Sequence, residues 1–360
     1  MLKLRRGVVV RTDPLIVRVA GEQRPAWADR RLVGEVREGD RVIVNVDALD
    51  MGLGSGGFDI VHVNLTRGLD APGDRDPRPM KLNYTSLQHP VEPVEADSDP
   101  GEAENDGAGV ISRRIPVLVI SLHGQLAPAA WAAARAHPGQ RVGYIQTAGG
   151  ALPGGLSNDV AELRRAGLLC GHLTAGPAFG GELEAISVIG ALQVATEKLG
   201  WDAVIAGPGP GIVGSGTALG NGAMVALDTA HASLILGLET LIAPRMSSGD
   251  PRPRHRGLSH HTETILRMVL GRVRVPAPAA QEPPWKRIGQ PEGPLDRLRE
   301  ACGGRHELWV RRVPIDEYAR SGLPAVTMGR GIADDRLFFE AALAAGDALA
   351  AAAVPAERVR

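Results

Sequence analysis

The sequence predicts an α/β protein: a mostly parallel sheet in an α/β/α sandwich, preceded by a small β-barrel-like domain. Three observations carry this expectation. Residues 1–95 show short β-like runs separated by turn residues. Residues 92–106 are dense in Glu, Asp, Pro and Gly and nearly free of large apolar side chains, the composition of a solvated linker. Beyond residue 113, continuous apolar runs alternate with Gly or Pro loops and alanine-rich helical stretches, as strands of a parallel sheet covered on both faces require. The division is therefore a β domain at 1–95, an acidic flexible linker at 96–112 and an α/β domain at 113–355.

In the first domain, strands are expected at residues 8–10, 15–19, 41–46, 60–65 and 81–87. The run Glu38, Gly39, Asp40, Arg41, Val42 reads as a turn feeding a strand, with Gly39 at a positive φ. The glycine-rich stretch 52–58 reads as a wide hairpin. In the second domain, strands are expected at 116–121, 142–147, 168–174, 203–206, 240–243, 273–275, 308–313 and 325–328. Helices are expected at 128–136, 158–166, 181–199, 217–236, 259–269, 295–301 and 334–351. Eight strands would also suit a closed (β/α) barrel. The short connection 314–323 and the unequal helix lengths favour the open sheet.

Composition narrows the function classes. The chain carries a net charge of −1 and 3% aromatic residues, which suits neither phosphate neutralisation nor base stacking, so nucleic acid is not expected as a partner. Cys170 and Cys302 form neither a disulfide framework nor a zinc pattern. No apolar run approaches a membrane span, and the apolar run 8–10 is too short for a signal peptide, so the expected location is cytoplasmic. A homo-oligomer is compatible with the sequence but not specified by it.

Either architecture places ligands beyond the carboxyl ends of the strands. The densest loop there is residues 207–217, containing Gly209, Gly211, Gly214, Ser215, Gly216 and Thr217 just before an expected helix. Glycines allow close backbone approach, and free amides at a helix start attract anions. A dinucleotide fingerprint fits poorly, since Pro208 and Pro210 lack donors and no acidic residue ends the next strand. No lysine follows the glycines, which excludes a Walker loop. The alternative is a tight turn that binds nothing.

The second loop, residues 245–262, holds Arg245, Asp250, Arg252, Arg254, His255, Arg256, Ser259, His260 and His261. Arginine forks suit phosphate or carboxylate, and histidines beside them exchange protons near neutral pH. Asp250, His255, His260 and His261 could instead hold a metal, although the spacing follows no standard ligand pattern and adjacent His260 and His261 are expected to diverge on a helix. A solvated basic loop with Ser259 as helix cap is the bland reading. His123, Gly149, Gly150 and Glu182 lie at neighbouring strand ends and would border the same cleft.

Residues 121–125, 174–184, 207–217 and especially 250–262 resemble the motifs of a bacterial family catalogued as a domain of unknown function (domain of unknown function 3866). The resemblance spans nearly the whole chain and brings no assigned activity. It implies a two-part architecture that recurs as a unit.

The leading expectation from the residues is an enzyme acting on a small phosphorylated or carboxylated metabolite. The glycine loop, Gly149, Gly150, Glu182, Arg245, Arg252, Arg254 and Arg256 would bind the substrate, and His255, His260, His123 or Asp250 would do the chemistry. A hydrolase or transferase is favoured over an oxidoreductase, and no cofactor is specified. A metabolite-sensing or assembly module and a metal-dependent hydrolase are the alternatives.

Overall fold

The computed structural model describes residues 1–52, 57–69, 78–96, 111–279 and 293–353. The chain divides into two compact units, residues 1–92 and 93–360. Most of the expected linker lies outside the described residues. Residues 93 and 94 belong to the second unit, where Pro93 bridges Glu184 and the Val94 amide donates to the Glu184 carbonyl at 2.8 Å.

The first unit is a closed barrel of five strands: β1 (Leu4–Thr12), β2 (Leu15–Val19), β3 (Glu22–Trp27), β4 (Arg41–Asn45) and β5 (Asp59–Asn64), in the order β1-β2-β3-β5-β4. The buried side chains of its core are all valine: Val9, Val17, Val19, Val33, Val42, Val44, Val46 and Val61. Branching at Cβ suits a pleated, half-buried surface and fills a narrow interior. Gly39 does adopt a positive φ of 86°. Strand β3 reads Glu-Gln-Arg-Pro-Ala-Trp and carries no apolar alternation, so the sequence did not announce it. The strand expected at 81–87 is absent. Met80–Lys81 pairs briefly with His89–Pro90, and Leu82 and Tyr84 take positive φ values of 49° and 60° that turn the chain instead of extending it.

The second unit is an open eight-stranded sheet. Its strands are β6 (Pro116–Val119), β7 (Val142–Thr147), β8 (Gly171–Ala175), β9 (Leu183–Ala185), β10 (Ala203–Pro208), β11 (Glu239–Ile242), β12 (Arg274–Pro278) and β13 (Glu307–Arg311), in the order β9-β8-β7-β10-β6-β11-β12-β13. Every neighbouring pair is parallel. The end strands β9 and β13 do not pair with each other, which settles the choice against a closed (β/α) barrel.

Among the described residues seven longer helices cover the sheet: α1 (Leu126–Ala136), α2 (Asn158–Arg165), α3 (Val188–Glu197), α4 (Val225–Ile235), α5 (His260–Met268), α6 (Pro294–Cys302) and α7 (Arg336–Ala353). Alternation along β6 separates the two layers. Leu118 and, just past the strand, Ile120 pack with residues of α1, α2 and the later turns of α7, whereas Val117 and Val119 pack with residues of α3, α4, α5 and α6 and with Leu337 and Ala341 near the start of α7. Right-handed crossovers explain the division, because a chain moving in one direction along the sheet keeps its helices on one face.

Three expected elements of this unit are corrected, one of them, the helix expected at 217–236, by beginning only at Val225. The helix expected at 181–199 is strand β9 followed by α3, whose start is fixed by Ser187 accepting from the Gly190 amide at 3.0 Å. The strand expected at 325–328 is half of a separate hairpin, Val326–Thr327 against Arg330–Gly331, and takes no part in the large sheet.

Candidate functional site

Strands β7, β10, β6 and β11 are consecutive in the sheet, so the loops at their carboxyl ends share its central edge. This is where the strand order reverses, the usual crevice of an open α/β sheet. The loops differ sharply in what they do there.

The loop after β11 folds back on itself through the pair Met246–Ser247 and Gly257–Leu258. Asp250 is its hub and is fully buried. Its carboxylate accepts from Arg245 at 3.0 Å and from Arg252 at 2.9 Å and 2.8 Å, and Arg330 lies 3.6 Å away. Burial alone would raise the Asp250 carboxyl, but the hydrogen bonds and charges of Arg252 and Arg245 outweigh it and hold the group far below its ordinary value. Arg245 is 3% exposed and pushed down to about 10 by desolvation. Its Nε has no hydrogen-bond partner among the described residues.

Asp335, at the start of α7, ties this loop down. It accepts from Ser247 Oγ at 2.6 Å, the Ser248 amide at 2.7 Å, the Gly249 amide at 3.1 Å and Arg330 Nε at 3.0 Å. Gly249 is required at this contact, since a Cβ there would sit 2.1 Å from the Asp334 carbonyl oxygen. Sequence reading missed Asp335 and Arg330. An acidic residue ahead of a helix has a dipole explanation, and only the fold brings α7 against a loop some 80 residues earlier.

His255, His260 and His261 converge. One candidate ligand atom from each lies within 4.8 Å of the others, and the ring centroids are 4.2–5.0 Å apart. The expectation that His260 and His261 diverge is overturned. They occupy the first two positions of α5 after Ser259, whose Oγ accepts from the His261 amide at 3.3 Å, and His255 returns to them from a short 3-10 turn at Pro253–His255. Ser259 Oγ also bonds His255 Nδ1 at 2.8 Å, so the expected cap residue orients a histidine as well. Desolvation and then neighbouring charge lower all three imidazoles: His255 to about 3 with Arg245 and Arg252 adding to burial, His261 to about 4, and His260 in the same direction. The cluster is uncharged at neutral pH. Asp250 does not join it as a ligand, because its oxygens are occupied by Arg245 and Arg252.

His123 belongs elsewhere. Its Nε2 bonds Ser157 Oγ at 2.6 Å and its Nδ1 bonds the Pro208 carbonyl at 3.2 Å. Beside it, Tyr144 Oη donates to the Gly207 and Pro208 carbonyls and its ring stacks on His172. Tyr144 packs in the layer of α1, α2 and α7, while α5 belongs to the other layer. His123, with Tyr144 and His172, thus stands apart from the cluster of His255, His260 and His261. Gln125 joins the two loops, donating to the Pro244 carbonyl at 3.2 Å.

The glycine loop is not the start of a long helix. Its tip, residues 213–220, is exposed, and α4 begins only at Val225. The Ser215 amide donates to the Gly220 carbonyl at 2.7 Å, the Gly222 amide donates to the Val213 carbonyl, and the Gly220 amide donates to Thr217 Oγ1 at 3.0 Å. The base of the loop packs against the loop after β7. A Cβ on Gly209 would lie 2.4 Å from the Ala151 carbonyl, one on Gly150 2.1 Å from the Gly209 carbonyl, and one on Gly149 2.3 Å from the Gly222 carbonyl. These glycines let two backbones touch. Gly211 and Gly216 have positive φ, and Gly214 is bridged to Asn221. Glu182 lies outside the cleft, paired with Arg164 at 2.7 Å.

Among the described residues no helix is long and apolar enough to cross a membrane. No curated protein and no solved structure matches the chain. The model of a family described as a protein of unknown function, DUF3866, matches residues 25–346, and the chain belongs to that family.

Proposed function

We propose that the protein is an enzyme acting on a small anionic metabolite, phosphorylated or carboxylated, at the loop after β11. The observation that carries this reading is the charge balance around Asp250. Arg245, Arg252 and Arg330 crowd the buried Asp250 and Asp335, three positive groups around two negative, beside three neutral histidines and the exposed Arg254. The excess falls at the central carboxyl edge of an open parallel sheet, where such folds bind ligands.

In this reading Asp250 fixes the direction of Arg245 and Arg252. Arg254 and the half-exposed face of Arg252 meet the substrate's oxyanion from solvent. The neutral imidazoles accept a proton or ligate. Hydrolysis or group transfer suits this set better than hydride transfer, for which the glycine loop offers no dinucleotide cradle.

The test is a panel of phosphate esters, nucleotides and carboxylates, read by thermal shift and turnover at low and moderate salt. Anionic compounds are expected to raise the melting temperature, less so as salt rises, and at least one is expected to turn over. Silence across the panel removes the reading. Stabilisation without turnover by any compound would favour the metabolite-sensing alternative.

A further inference from the structure

We infer that His255, His260 and His261 bind one divalent transition metal ion of the zinc type, with three nitrogen ligands and an open fourth position. This deepens the proposed function, since the ion would sit in the same loop, and rests on that reading for its catalytic meaning but not for its existence.

The first argument is geometric. Two bonds of ~2.1 Å to one ion at the tetrahedral angle separate their nitrogens by about 3.4 Å. The three histidines already place one ligand atom each within 4.8 Å of the others, so small side-chain rotations close the set. Their backbone supports are rigid: His260 and His261 start α5, and His255 is held by the turn Pro253–His255 and by Ser259 Oγ at 2.8 Å. The Ser259 bond on Nδ1 leaves Nε2 of His255 to face the ion, the usual arrangement around ligating histidines, once Arg254 Nε, which donates to it at 3.4 Å, turns away.

The second argument is satisfaction. His260 Nε2 and His261 Nδ1 are buried with no hydrogen-bond partner among the described residues. Burying a polar atom unpaired is costly, and two such atoms beside each other in one cluster point to a shared missing partner. Among the described residues no carboxylate bonds these rings, so the partner is not an acid of the loop. Asp250 is saturated by Arg245 and Arg252. Three imidazoles with no carboxylate suit a borderline nitrogen-seeking ion over magnesium or calcium. Three protein ligands rather than four match centres that keep a position for water or substrate.

The experiment uses the full chain, freed of any affinity tag and purified without chelators, with metal content measured by elemental analysis. A second arm strips the protein with chelator and adds Co(II), whose visible absorption reports a tetrahedral nitrogen site. Roughly one ion per chain is expected, together with a Co(II) band that Zn(II) displaces. Both should be lost in His260→Gln and His261→Gln while circular dichroism shows the fold retained. If both variants unfold, competition of Zn(II) against the Co(II) band on the parent protein decides. A folded protein that neither retains nor takes up a stoichiometric ion overturns the inference, as does uptake unchanged in both histidine variants. Thermal shift of the stripped protein by phosphate esters tests the anionic-substrate reading separately, so either idea can fail alone.

Discussion

Two loops leave adjacent regions of the same sheet edge, and their sequences promise similar things. The glycine loop after β10 is exposed at its tip and bonded to itself, with its glycines spent on contact with the loop after β7. The Arg/His loop after β11 is largely buried, wound around Asp250 and clamped by Asp335 from a distant helix. Glycine content signals that something comes close, but a neighbouring backbone serves as well as a ligand. Buried charge has no such cheap explanation, because each ionised group needs a specific partner.

The largest effect should come from the hub. Replacing Asp250 with Ala leaves Arg245 buried without its counter-charge and is expected to cost about 3–5 kcal/mol, measured by urea unfolding. A loss below about 1 kcal/mol would make the Arg/His loop an ordinary solvated surface and erase the contrast.

Next is a pH dependence beneath the glycine loop. His123 is pushed down to about 4 by desolvation, opposed by its bond to Pro208. The unfolded chain, with an ordinary imidazole near 6.5, binds the proton first. The contribution is therefore fully present above about pH 6.5 and is lost on acidification toward about pH 4, amounting to about 3 kcal/mol. Unfolding titrations of the parent and His123→Asn should diverge in slope across that window. Parallel curves would show that His123 is not the buried neutral group described.

Gly209→Ala should cost about 1–3 kcal/mol, since its Cβ would meet the Ala151 carbonyl at 2.4 Å. Gly155→Ala, with nothing within 4 Å, should stay within about 0.5 kcal/mol. Equal effects would refute the packing explanation for the glycines. The smallest change is expected at the exposed tip, where Ser215→Ala and Thr217→Ala should each stay within about 0.5 kcal/mol. If either abolishes binding of phosphate esters while leaving stability intact, the glycine loop regains the anion role that its sequence first implied.

Much of the fold was legible because periodicity survives in the sequence. The valines of the barrel and the apolar runs of the parallel strands each mark a buried surface. Strand β3 was hidden by its polar composition, and β9 by its position inside a stretch that reads as helix. At the site, residue chemistry pointed to the Arg/His loop and to Ser259 as a cap. It misjudged His260 and His261, because helical divergence over two residues does not account for a third histidine folding back from the preceding turn.

By itself, then, the sequence determined the two-unit α/β architecture and which loops reach the carboxyl edge, because local pattern and loop order suffice for both. Only the tertiary structure decided that His123 stands apart from the other three histidines, that Asp335 and Arg330 belong with Asp250, and that the glycines serve backbone contact. Those relations join residues far apart in sequence, and no local pattern records which buried partner satisfies which.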